Sequence, residues 1–138
     1  MSFTNARSAL DQYSQNAVQA GIESASPHRL IQMLMAGMLD KVAAARGHMQ
    51  RNEIQQKGMQ VACAISILEG LKSSLDKEKG GDIAQNLEDL YIYMERRLVE
   101  GNRDNDTAAL DEVSDLMKQI KEAWDTIGEQ IRAAEPAA

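Results

Sequence analysis

At 138 residues the chain is long enough for one hydrophobic core and too short for two ordinary domains. Hydrophobic residues at 43% and charged residues at 26% exclude a disordered composition. A net charge of −6 with no basic stripe excludes a nucleic-acid partner, because binding a polyanion needs clustered cations that displace counterions.

There are only five aromatic residues (Phe3, Tyr13, Tyr91, Tyr93 and Trp124) and few β-branched ones, while Ala, Leu, Met, Gln, Glu and Lys are plentiful. That balance favours helix over sheet. Residues 1–25 form an N-terminal arm, in which Ala6, Leu10, Tyr13 and Ala17 suit a short or conditional cap helix. The opening MSFTNARSALDQYSQ lacks the apolar run of a signal peptide, and the longest apolar stretch, MLMAGML, is too short to span a bilayer. A cytoplasmic chain with no membrane insertion is expected.

Ser26 followed by Pro27 is the signature of a helix start: a side-chain cap, then a residue whose missing N–H costs nothing in the first turn. Ile31, Leu34, Met38, Val42, Ala45 and Met49 then recur in steps of three and four as one buried stripe. Asn52 with Gln55 resembles a capping box for a second helix, with the turn near Arg51 and a stripe of Ile54, Val61, Ile65, Leu68 and Leu75. The glycines of EKGGD are expected to stop it, with Asp82 and Gln85 capping a third helix lined by Ile83, Leu87, Leu90, Tyr91, Met94 and Leu98. Gly101 and NRDND end the third helix. Leu110, Val113, Met117, Ile120, Trp124, Ile127 and Ile131 make the fourth and most regular stripe.

Four helices of roughly 20–25 residues joined by short turns must run antiparallel to their neighbours. The expected fold is an all-α, antiparallel up-down four-helix bundle over residues 26–133, with a disordered tail at 134–138. From Asp104 onward nine acids face three bases, which accounts for the whole net charge and gives the fourth helix a solvated outer face.

Chemistry is sparse. A lone Cys63 rules out an internal disulfide and a cysteine zinc cluster, and neither His28 nor His48 follows a glutamate by three residues as a di-iron bundle requires. No metal, cofactor or catalytic residue is expected, and the chain is not read as an enzyme. His48 leaves one alternative open, a histidine phosphotransfer module, which is also a small acidic four-helix bundle. Those domains resemble His-x-Leu-Lys-Gly, and this chain reads HMQRN. A bundle that dimerises through its second helix is a further alternative.

The informative surplus is apolar side chains off the core stripes. On the second helix Met59, Cys63, Ile67 and Gly70 form a second stripe about opposite Val61, Leu68 and Leu75. Ile92 and Val99 repeat this on the third helix, and Met33 stands outside the core arc of the first. Small residues admit a close partner helix, and methionine adapts to varied apolar shapes. An acid at Ile67 is therefore expected to abolish partner binding without unfolding the chain.

These residues lie within a sequence that resembles the FliS family of flagellin-specific flagellar export chaperones over nearly its whole length. The resemblance is carried by Tyr13 and Val18 ahead of SPHRLIQML, by Gly37, by KGGDIAQNLEDLYIYMERRL at 79–98, and by Leu110-Asp-Glu-Val113 leading to Ala123 and Trp124. In MLMAGML the chain departs from the family, where Met35 and Ala36 replace the usual aromatic and acid. The resemblance implies a chaperone that binds the disordered C-terminal segment of flagellin, prevents premature polymerisation, and delivers it to the flagellar type III export gate. With that partner, the off-stripe apolar residues Met33, Met59, Cys63, Ile67, Ile92 and Val99 are the expected flagellin contacts. The resemblance also implies a cap and gate contact at Leu10 and Tyr13, no cofactor, and a monomer or weak dimer.

Overall fold

Ser26 Oγ accepts a hydrogen bond from the Arg29 N–H (3.1 Å) and Pro27 occupies the first turn, so helix α1 (Pro27–Gln50) starts where its cap dictates. The computed structural model describes residues 26–134, and the arm with Leu10 and Tyr13 and the tail beyond residue 134 lie outside the described residues. Three further helices follow: α2 (Ile54–Ser73), α3 (Lys77–Asp104) and α4 (Thr107–Ala134). Each packs against two others in the cyclic order α1, α2, α3, α4, giving the antiparallel four-helix bundle with no strand among the described residues.

The core is assembled from one stripe per helix. Leu34, Met38, Val42, Ala45 and Met49 of α1 meet Val61, Ala64, Leu68 and Leu71 of α2, Tyr91, Met94 and Leu98 of α3, and Leu110, Val113 and Met117 of α4. Burial pushes the Tyr91 phenol up to about 12, as expected for a side chain that charges only at a high desolvation cost. Met35, standing where the family usually has an aromatic, is a full core member, and Ala36 faces the groove between α1 and α4.

Several boundaries differ from the sequence expectation. The Asn52 capping box does not form. The turn is instead locked by Glu53, whose Oε1 lies 2.9 Å from His48 Nδ1 and accepts from Arg51 Nε at 2.7 Å, and Asn52 adopts a left-handed φ of 58°. These two partners hold the Glu53 carboxyl below its ordinary value. Likewise α3 begins not at Asp82 but at Asp76, which accepts from the Lys79 N–H (3.1 Å). The break expected at the glycines is a kink inside α3, where Gly81 takes φ 51° and ψ −127°, a conformation that only glycine adopts without strain. Gly101 lies within α3, which ends at left-handed Asn105. Ile54 and Ile83 (both 73% exposed) and Ile127 (45%) follow the right periodicity but remain largely exposed.

Candidate functional site

The outward face of α2 is the feature that a solvated bundle does not require. From Gly58 to Leu68 the helix carries no charged residue, and its exposed positions there are Met59 (62% exposed), Ala62 and Cys63, with Ser66 half-buried. By contrast, α4 presents Asp111, Asp115, Lys118, Glu122 and Glu129 to solvent. An exposed helix face without charge leaves apolar area in water at a cost of about 25 cal/mol per Å² unless something covers it.

Flanking helices extend this face. Lys57 and Lys72 fix the register between α2 and α3. Buried Lys57 donates from Nζ to the Asn102 carbonyl (2.9 Å) and Asn105 Oδ1 (3.1 Å), and Lys72 Nζ lies 3.5 Å from Glu95 Oε1. On α3, Ile92 (47% exposed) and Val99 (54%) flank Glu95 by three and four residues, so they stand on the bank of α3 that faces α2. Half-buried Met33 lies off the core stripe of α1. The face therefore runs along α2 and includes Met59, Cys63, Ile92 and Val99 of the expected contacts, with Met33 on the neighbouring helix.

Ile67 is a correction. It is 2% exposed and belongs to the core, because α2 packs against helices on both sides and its buried arc widens to include residues about 40° round from Cys63. Gly70 is buried as well. Ala62 and Ser66 were missed by a search for apolar stripes. The signal that finds them is the missing charge between Lys57 and Glu69.

One charged cluster borders the face. Lys72 Nζ lies 3.0 Å from Glu69 Oε1 and reaches across the α2/α3 seam toward Glu95, whose Oε1 is buried without a hydrogen bond. Burial first, then the adjacent Glu69 carboxyl, push Glu95 up to about 7 against the pull of Lys72.

The two histidines are structural. His48 belongs to the α1–α2 turn beside Glu53 and Arg51. His28 stacks on Trp124 with ring centroids 4.4 Å apart, and its carbonyl accepts from Trp124 Nε1 at 3.0 Å. Among the described residues no group of three or more His, Cys, Asp or Glu is placed to hold a metal ion, and no helix is long and apolar enough to cross a membrane.

Comparison with known proteins gives the family. The family model described as flagellar protein FliS matches residues 9–131. The chain is 50% identical over 122 residues to the flagellar secretion chaperone FliSB of Pseudomonas aeruginosa, covering 88% of this chain and 97% of that one. It is 44% identical over 121 residues to the FliS chaperone of Salmonella typhimurium (87% and 90% covered), and 39% identical over 121 residues to that of Vibrio cholerae (88% and 89%). The relatives are named as chaperones, a non-enzymatic role. With the family model spanning most of the bundle and these identities along nearly the whole chain, the protein belongs to the FliS family of flagellar secretion chaperones.

Proposed function

We propose that this export chaperone acts in the cytoplasm by binding the disordered C-terminal segment of flagellin along the outward face of α2 and its α3 bank. The observation that carries this reading is the uncharged run from Gly58 to Leu68 with Met59, Ala62 and Cys63 exposed on a helix whose opposite side already fills the core. A flagellin terminus bearing filament-forming apolar residues aggregates or polymerises unless those residues are covered. Wrapping it over a long apolar face buries much area at moderate affinity, because ordering the segment opposes binding. Helix-in-groove docking is the mode that suits such a face.

The bound complex is then handed to the flagellar export gate. Leu10 and Tyr13 of the arm serve as a removable cover of the apolar face and as the gate contact, since tyrosine combines apolar area with a polar tip. The free chaperone is a monomer or weak dimer, and no cofactor takes part.

The test is titration of a synthetic flagellin C-terminal peptide into wild-type protein and into Met59→Asp and Val99→Asp. Each carboxylate would have to be desolvated under the docked segment, so affinity should fall about tenfold or more, about 1.4 kcal/mol. Stability should stay within about 0.5 kcal/mol of wild type, because both sites are exposed. Unchanged peptide affinity in both variants would remove this face from the binding site.

A further inference from the structure

The groove between α2 and α3 has two matched banks. Ala62, Ser66 and Glu69 follow one another on α2 in steps of four and three, and Ile92, Glu95 and Val99 on α3 in steps of three and four. At the border of the apolar face, where α2 and α3 meet, two carboxylates therefore share a single ammonium: Lys72 Nζ is 3.0 Å from Glu69 Oε1 and 3.5 Å from Glu95 Oε1. Glu95 Oε1 is buried and accepts no hydrogen bond. The other charged groups at this seam are Glu88 on α3, which is engaged by Lys77 at 2.7 Å, and Lys57 on α2, whose ammonium is held by the Asn102 carbonyl and Asn105 Oδ1. Both of these cations are engaged elsewhere, and Lys72 is the one that reaches Glu95.

We propose that docking of an apolar, uncharged segment into the α2/α3 groove is coupled to uptake of a proton by the Glu95 carboxyl, so that binding weakens as pH rises through neutrality. The inference rests on the reading of this face as the flagellin site and adds its regulation.

The physical argument is linkage. Two carboxylates beside one lysine cannot both ionise cheaply, and a segment laid over them removes the remaining water, which penalises the charged form further. In the free protein Glu95 already stands near 7, displaced upward mainly by burial. A group in that state is poised to take up a proton when it is covered. The bound complex then holds more protons than its free components, and affinity must fall as protons become scarce. A segment that brought a lysine or arginine to Glu95 would do the opposite: it would favour the ionised carboxylate, release a proton, and bind more tightly at high pH.

The same displacement acts on folding. Between pH 4.5 and about 7 the native chain retains a proton on Glu95 that the unfolded chain, with its ordinary value of 4.5, has released. The contribution of Glu95 to stability is therefore complete below pH 4.5 and is lost as pH rises from 4.5 through about 7. Glu95→Gln keeps the shape and the hydrogen-bonding capacity of the protonated acid and removes the titration.

The experiment is isothermal titration of a synthetic flagellin C-terminal peptide into full-length wild type and Glu95→Gln at pH 6 and pH 8, in buffers of different ionisation enthalpy. If docking raises the Glu95 midpoint by one further unit, wild-type affinity is about fivefold weaker at pH 8 than at pH 6, with net proton uptake on binding. Glu95→Gln should bind at both values with a flat profile. A flat wild-type profile, proton release, or a Glu95→Gln profile that matches wild type would overturn the coupling while leaving the docking face intact. Absence of peptide binding at every pH would overturn the docking face and the coupling together. A second measurement needs no peptide: the Glu95 side-chain carboxyl, followed by NMR in the free protein, should titrate near 7, and a midpoint near 4.5 would overturn the proposal.

Discussion

Ile67→Asp is expected to leave little cooperatively folded protein. The side chain is 2% exposed among Ala64, Leu68 and Leu71, so the change removes a buried aliphatic group and places a carboxylate where the core offers no cation. Loss of the buried side chain alone costs about 2–5 kcal/mol, and an unpaired buried charge adds to it. Against a total of roughly 5–15 kcal/mol for a domain of this kind, the variant should lose most of its urea-unfolding transition at 25 °C. An ordinary wild-type transition would return Ile67 to the exposed face. Met59→Asp and Val99→Asp, at exposed positions on the same two helices, provide the contrast.

Trp124→Ala should be the next most damaging change, about 3 kcal/mol, because the indole closes the end of the bundle where α1 begins. Its ring stacks on His28 at 4.4 Å with planes 7° apart, and its Nε1–H donates to the His28 carbonyl. Gly128, one turn further along α4, makes this possible: a Cβ there would collide with the His28 imidazole. Removing the indole forfeits the stack and the hydrogen bond together. Urea unfolding measures the cost, and peptide binding should fall only in step with the folded fraction. A fully folded Trp124→Ala protein unable to bind peptide would place Trp124 in the site instead.

What could be read before folding depended on how local each cause was. Ser26 and Pro27 announced α1 because a cap and its first turn are neighbours in sequence, and the core stripes were legible because helical periodicity repeats within each segment. Asn52 misled because its residue type serves both capping and left-handed turns, and the choice was made by His48, Arg51 and Glu53 around it. Asp82 was read as the cap because it follows the two glycines, whereas Asp76 caps an earlier turn and the chain passes through the kink at Gly81.

Ile67 and Cys63 could not be separated by spacing alone. The width of the buried arc of α2 is set by two neighbouring helices, and a helical wheel contains neither. For the same reason Ile54, Ile83 and Ile127 kept the period of the core and still ended in water. The exposed apolar face was partly legible, since Met59, Ile92 and Val99 stood off the stripes. The Glu69–Lys72–Glu95 cluster was not, because it exists only once α2 and α3 are in register.

The sole cysteine provides the most direct test of whether flagellin lies on this face. Cys63 is exposed near the middle of α2, between Met59 and Ser66, and its maleimide labelling rate in the free protein is the reference against which peptide protection is read. With a synthetic flagellin C-terminal peptide added in steps, the Cys63 labelling rate should fall in proportion to occupancy and reach its minimum when the site is saturated. A labelling rate unchanged at saturating peptide would show that the segment binds elsewhere on the bundle.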